Sequence, residues 1–273
     1  MPHEPFTLGS VEVVPLCDGW APLPLSDEMP GHEVDWDEER VRFPWAFPPD
    51  DANSWAWHVH SFLLRHTDGL ALIDTGIGHF GRPPYDVSSA IDEEFVALGV
   101  SPDDVGHVVL THLHADHSGG ACLPDGNPRF PNARYHVHPD DWSFFGAQRT
   151  PEDFTGRFAM AALEGLGMLD LDPSDHDVVS GVSLRHAPGH TPGHRVVLLN
   201  EGNDTVLLTG DLLHVPPQIA FPARPSNHDE DPEVASRERA RLVDLARTEG
   251  WTLGVSHFAR PFGRAEAAGW SSI

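Results

Sequence analysis

Short apolar runs separated by turn-forming residues recur at 11–16, 58–65, 70–74, 107–111, 134–137, 182–186, 194–200, 205–209 and 253–256. Their length and flanking residues predict strands. Several, such as Val108-Val109-Leu110, are continuous rather than alternating. That pattern predicts sheets covered on both faces. Helices are predicted between them. At 86–99, Val87, Ile91, Phe95 and Leu98 recur at helical spacing, and Gly99 fits a C-terminal stop. At 231–250, Asp231 can cap, Pro232 fits the first turn and Gly250 ends the helix. Thr150-Pro151-Glu152-Asp153 opens a third, reaching Gly165 or Gly167. Strands mixed with helices over this length give an α/β layered domain.

Residues 20–57 break the pattern. Pro, Asp and Glu crowd this stretch, along with Trp20, Trp36, Trp45, Phe47, Trp55 and Trp57, and periodicity is weak. It is expected to be an irregular segment. Its aromatics would cover the core, form an apolar wall over a site, or seal a homodimer; an aromatic cage for a cationic ligand fits less well.

The chain has 273 residues, 40% of them hydrophobic, enough for one large domain spanning 1–273 with a proper core. Its 17 basic residues, all Arg, face 42 acidic ones, so the net charge is 17 − 42 = −25. Such a surface repels phosphate backbones and anionic membranes. Neither nucleic acid nor membrane is therefore an expected partner; a small molecule is. Cys17 and Cys122 are the two cysteines; they do not read as a disulfide framework and are expected to be small packed residues. The first residues show no basic and apolar leader, and no run approaches the ~18 apolar residues of a membrane span. A cytoplasmic location is the default.

The densest chemistry lies in Thr111-His112-Leu113-His114-Ala115-Asp116-His117-Ser118-Gly119-Gly120. Imidazole and carboxylate side chains suit Zn²⁺ or a related divalent ion, with Mn²⁺, Fe²⁺ and Co²⁺ open. The cluster follows a strand, where rigid scaffolds present reactive groups. His112 and His114, two apart on extended backbone, can converge on one ion; Asp116 and His117 can turn to a second. Each centre needs further ligands. His190, Asp211 and His257 stand out because each also follows a predicted strand. Burying this set without a cation would be costly. The other histidines, His58, His60, His66, His79, His107, His136, His138, His176, His186 and His228, are expected to be ordinary surface or core residues.

The run from Thr111 to Gly120 resembles the HxHxDH signature of the metallo-β-lactamase superfamily. Gly189-His190-Thr191-Pro192-Gly193-His194, Gly210-Asp211, His257 and Leu72-Ile73-Asp74-Thr75-Gly76 are similar to that family's other motifs, in its order, over about 58–262. The resemblance implies an αββα four-layer sandwich with a dinuclear centre at one edge. His112, His114 and His190 would hold one ion; Asp116, His117 and His257 the other; Asp211 would bridge. Asp74 would orient the ligands from behind, and His194 would support its loop by hydrogen bonding. The 210–215 and 256–263 segments are similar to the lactonase and methyl parathion hydrolase-like branch. One departure stands out: N-acyl homoserine lactonases carry Tyr three positions after the bridging Asp, and this chain has His214. His214 could still donate a hydrogen bond to a substrate oxygen.

The function implied is hydrolysis of a small ester or lactone, with a phosphotriester side activity. Two divalent ions lower the pKa of a shared water toward neutrality, and Asp116 can move its proton to the leaving group. A glyoxalase II-like thioesterase is the first rival. A short tail with Arg260 and Arg264 in place of a helical basic region opposes it. The net charge opposes a nuclease, and a β-lactamase is less favoured without a leader. A non-catalytic metal-binding or ligand-sensing protein is the rival from another class.

Overall fold

The computed structural model describes residues 4–30, 33–80, 87–146 and 160–273. Fourteen strands are present among them: β1 Phe6–Leu8, β2 Val11–Pro24, β3 Ser54–His66, β4 Gly69–Ile73, β5 Val105–Val109, β6 Arg134–His136, β7 Leu169–Asp170, β8 His176–Val179, β9 Val182–His186, β10 Arg195–Glu201, β11 Asp204–Leu208, β12 Thr252–Gly254, β13 Phe262–Glu266 and β14 Gly269–Ser272. Seven α-helices accompany them: α1 Trp36–Arg42, α2 Ile91–Leu98, α3 Ala115–Ser118, α4 Pro139–Phe144, α5 Ala161–Gly165, α6 Pro217–Ala220 and α7 Pro232–Glu249. One sheet runs β1 to β7 in sequence order, the other β14 back to β8. Pairing is antiparallel except at β4–β5, β5–β6, β6–β7 and β11–β12.

The continuous apolar strands have a direct explanation. Ala71 and Ile73 of β4 face inward with Val197 and Leu199 of β10 and Val206 and Leu208 of β11, filling the space between the sheets. Leu72 points the other way, onto Ile91 and Phe95 of α2 and Leu163 of α5. Val196 and Leu207 point outward on the second sheet, onto Leu242, Val243 and Ala246 of α7. Both faces of both sheets are covered, so alternation disappears. The result is the αββα four-layer sandwich.

Helix ends follow their chemistry. Asp231 accepts a hydrogen bond from Val234 N at 3.1 Å, Pro232 opens α7, and Gly250 closes it at φ +68. Gly99 closes α2 at φ +63. The predicted 86–99 helix is shorter, beginning at Ile91, and Asp86 lies outside the described residues, as do 150–159 of the third predicted helix; α5 covers its end.

The 20–57 segment differs from its expectation. Its first residues finish β2 and its last begin β3, with Ala21 opposite Trp57 and Leu23 opposite Trp55. Between them α1 forms, capped by Asp35, which accepts from Glu38 N at 3.0 Å. Strands β1, β7, β8, β13 and β14 were not predicted; each has at most five residues and most carry polar ones. Among the described residues, no helix is long and apolar enough to cross a membrane.

Candidate metal centre

One rim of the sandwich receives the ends of several strands. Asp74 follows β4; Thr111 and His112 follow β5 closely, and His114 precedes the first turn of α3, which carries Asp116 and His117. His190 sits in the β9–β10 connection, Asp211 just after β11, and His257 just after β12. Parallel pairing of β4 with β5 and of β11 with β12 puts these chain ends on one side.

The side chains form two adjoining sets that share Asp211. In the first, His112 Nε2 lies 3.0 Å from His114 Nδ1, and His190 Nε2 lies 3.2 Å and 3.0 Å from those two atoms. Asp211 Oδ2 is 3.3 Å from His190 Nε2 and 3.6 Å from His112 Nε2. In the second set, Asp211 Oδ1 is 2.9 Å from both His117 Nε2 and His257 Nε2. Asp116 Oδ2 is 3.3 Å and 3.6 Å from the same nitrogens. All seven residues are buried except His114, which is half-buried.

This donor set fits divalent cations. Nitrogens about 2.0–2.1 Å from one ion in a tetrahedron lie roughly 3.3 Å apart, close to the spacing found. The outward nitrogens are tethered as metal-ligating imidazoles require. His117 Nδ1 donates to Asp74 Oδ2 at 2.7 Å, and His257 Nδ1 to the His58 carbonyl at 2.6 Å. His112 Nδ1 lies 3.1 Å from Thr111 Oγ1, which itself donates to Asp74. His190 Nδ1 faces Asp229 Oδ1 at 3.5 Å. The Nε2 atoms of these four rings therefore point at the shared centre. His117 Nε2 and Asp211 Oδ1, though 2.9 Å apart, are buried there without meeting any partner in hydrogen-bond geometry, which a cation between them would explain.

Burial dominates the titration of the first set. It drives His112 and His190 well below the ordinary 6.5 and His114 down to about 4, so these rings are neutral lone-pair donors. In the second set burial is outweighed: Asp211, Asp116 and Asp74 hold His117 well above 6.5, and Asp211 and Asp116 raise His257.

The remaining expected residues fall around this core. Asp74, 1% exposed and at φ +59, sits behind His117 and also accepts from Thr111 N at 2.8 Å. His194 donates from Nδ1 to Ala187 O at 3.0 Å and accepts at Nε2 from Asp211 N at 3.1 Å, fixing both loops. His214 places Nε2 3.3 Å from Asp211 Oδ2 and stacks on His257 at 5.7 Å. Its backbone N donates to Gln218 Oε1 at 2.6 Å.

A cleft of about 250 Å³ opens over the centre, lined besides the ligands by Leu23, Trp55, Trp57, His214, Asn227, His228 and Glu230. The aromatics of the 20–57 segment therefore divide. Trp55 and Trp57 reach the cleft, Trp36, Trp45 and Phe47 cover the core, and Trp20 is 52% exposed. His228 was expected to be an ordinary residue but lines the cleft, 2.8 Å from the buried Glu28 carboxylate and 5.1 Å ring to ring from His214. Burial opposes its protonation, yet Glu28 holds the imidazole up at about 9. Arg239, fully buried, was also missed. It holds Asp229 behind His190 with a 2.8 Å ion pair. No local sequence signal marks either pair.

A four-layer sandwich with His and Asp side chains gathered at one rim defines a class of metal-dependent hydrolases. The chain belongs to the metallo-beta-lactamase superfamily, whose family model matches residues 55–257. It is similar to the N-acyl homoserine lactonase AiiA of Bacillus thuringiensis subsp. kurstaki, 27% identical over 208 residues covering 70% of this chain and 77% of the relative. It is also similar to the N-acyl homoserine lactonase AttM of Rhizobium radiobacter, 30% identical over 173 residues, 55% of this chain and 62% of the relative. The hydrolase AbOPH shares the fold with a TM-score of 0.83 at 22% identity, over 100% of this chain and 97% of that one. The dizinc quorum-quenching lactonase AidC does so with a TM-score of 0.82 at 21% identity, over 99% and 96%.

Proposed function

We propose that the protein hydrolyses a small lactone or ester at a dinuclear centre, with N-acylated lactones as the leading substrate class. The observation that carries this reading is the shared carboxylate: Asp211 turns one oxygen to each donor set. His112, His114 and His190 would hold one ion, and Asp116, His117 and His257 the other. Zn²⁺ suits both sets. Ions held there supply Lewis acidity and make water acidic near neutral pH.

The chain's own residues supply the rest. Asp116 lines the cleft as well as the second set, so its carboxylate can accept a proton at the centre and release it toward a leaving group. His214 Nε2, beside Asp211, is placed to donate to a substrate oxygen. Leu23, Trp55 and Trp57 exclude water and offer an apolar seat for an acyl chain. In this reading, the 20–57 segment acts as a pocket wall. The N-acyl homoserine lactonases among the relatives support the substrate class.

The test is a hydrolysis panel of lactones, aryl esters, thioesters and phosphotriesters, with and without chelator, alongside elemental analysis. Lactone or ester turnover, about two ions per chain, and loss of most activity in Asp116→Ala and His117→Ala are expected. A metal-free protein fully active in chelator would overturn the reading. Turnover confined to thioesters would favour the thioesterase alternative.

A further inference from the structure

A second cluster of ligating side chains lies across β2 and β3, outside the cleft lining. Cys17 of β2 is the register partner of His60 of β3. His58 and His60, two apart on one strand, project to the same face, and their rings stack at 5.7 Å. One donor atom each from Cys17, His58 and His60 lie within 4.8 Å of one another, with Cys17 Sγ 3.7 Å from His58 Nδ1. Trp57 and Val59, the alternate residues of β3, point into the core on the opposite side. We propose that Cys17, His58 and His60 form a third metal site, mononuclear and selective for a thiophilic divalent ion such as Zn²⁺, with solvent as the fourth ligand.

Three observations support it. The sulfur–nitrogen distance of 3.7 Å from Cys17 Sγ to His58 Nδ1 matches a tetrahedral site, in which bonds of about 2.3 Å to sulfur and 2.0–2.1 Å to nitrogen set S and N roughly 3.6 Å apart. His60 is oriented from behind, since its Nδ1 lies 2.9 Å from Ser256 O. One ring nitrogen donating to a backbone carbonyl is the arrangement metal-ligating imidazoles use. Solvent also has access, because Cys17 and His58 are half-buried while His60 is buried. The donor class differs from the catalytic rim, where nitrogen and oxygen alone converge. A thiolate with two imidazoles favours softer ions than carboxylates do.

Binding replaces the thiol proton: Cys17–SH and M²⁺ give Cys17–S–M⁺ and H⁺. An ion there would also pin β2 to β3 directly behind the rim. The His58 carbonyl accepts from His257 Nδ1, and the Ser256 carbonyl takes the His60 backbone N at 3.0 Å.

Cobalt tests this without reference to turnover. The protein is stripped of metal, titrated with Co²⁺, and followed in the near ultraviolet, where thiolate-to-cobalt charge transfer absorbs and nitrogen or oxygen ligation does not. Wild type is expected to develop the band and to bind one ion more per chain than Cys17→Ser. That variant should lose the band, while Cys122→Ser, which removes the other thiol, should keep it. His58→Gln, at the half-buried position, should weaken binding at this site at least tenfold, and circular dichroism checks that each variant is folded. A wild type that never shows the band, or a band that survives in Cys17→Ser, overturns the proposal.

Discussion

Replacing Asp74 probes how the rim is held. Its carboxylate accepts from His117 Nδ1 at 2.7 Å, Thr111 N at 2.8 Å and Thr111 Oγ1 at 2.9 Å, while the threonine hydroxyl faces His112 Nδ1. One buried anion thus orients a ligand of each set, directly for His117 and through a neutral hydroxyl for His112. Asp74→Asn keeps the size, and asparagine tolerates the left-handed backbone at φ +59. What it removes is a charge-assisted bond, worth about 1.5–3 kcal/mol. Loss of such support lowers metal affinity by roughly 10–100-fold, and 100-fold is about 2.7 kcal/mol. The effect should be unequal. The His117 set loses its charged partner, while the His112 set loses only part of a neutral chain worth about 1 kcal/mol.

The assay is dialysis against graded chelator, with ions counted per chain. Asp74→Asn should release one ion at a chelator concentration roughly 10–100-fold lower than wild type requires, with the second ion following near the wild-type concentration. Asp74→Ala adds a left-handed backbone penalty of about 1–2 kcal/mol and strands buried donors at about 1–3 kcal/mol each. It should therefore also lower the urea midpoint. Retention of both ions by Asp74→Asn at wild-type chelator concentrations would refute this account of the rim.

Two further outcomes concern the ion pairs of His228 and Arg239. The His228 imidazole, held at about 9 by Glu28 against an ordinary 6.5, contributes stability fully below pH 6.5 and loses it as the pH rises through 9. The full rise converts to roughly 3 kcal/mol, which solvent reaching the ring reduces to about 1 kcal/mol. In urea unfolding, the stability gap between wild type and Glu28→Gln should therefore close between pH 6.5 and 10, and a gap constant with pH would count against the pair. Arg239, fully buried, donates to Leu212 O at 2.6 Å, Arg224 O at 2.8 Å and Asp229 at 2.8 Å. Arg239→Ala should cost about 3–5 kcal/mol by leaving Asp229 unpaired in the interior, and a loss under 1 kcal/mol in the same measurement would contradict that.

The strands of the two sheets were legible where both faces are covered, because continuous Val, Leu and Ile runs leave few alternatives. The long hairpin of β2 and β3 was not. Residues 20–57 show weak periodicity and many prolines, which hid a true alternation in which Ala21 and Leu23 are buried while Pro22 and Pro24 are exposed. The structure shows why they are tolerated. β1 pairs only with Val11–Val13, so beyond Val13 one side of β2 is a sheet edge within the described strands. A proline on such an edge removes no ladder bond.

The site divides along the same physical line. His112, His114, Asp116 and His117 were legible because a local loop concentrates donors. His190, Asp211 and His257 added themselves because each follows a strand that had already been placed. Position along a strand is a one-dimensional property, and a parallel sheet turns it into a shared rim. The cleft wall has no such code. Glu28 and His228 are 200 positions apart, and their pairing depends on how the β2–β3 hairpin folds over the loop before α7. The same limit hid the Cys17, His58 and His60 cluster, since it exists only through the β2–β3 register. A one-residue slip would send Cys17 to the opposite face from His60. Ligands at strand ends can therefore be read once the strands are known, whereas contacts made across a register or beneath a covering segment require the register itself.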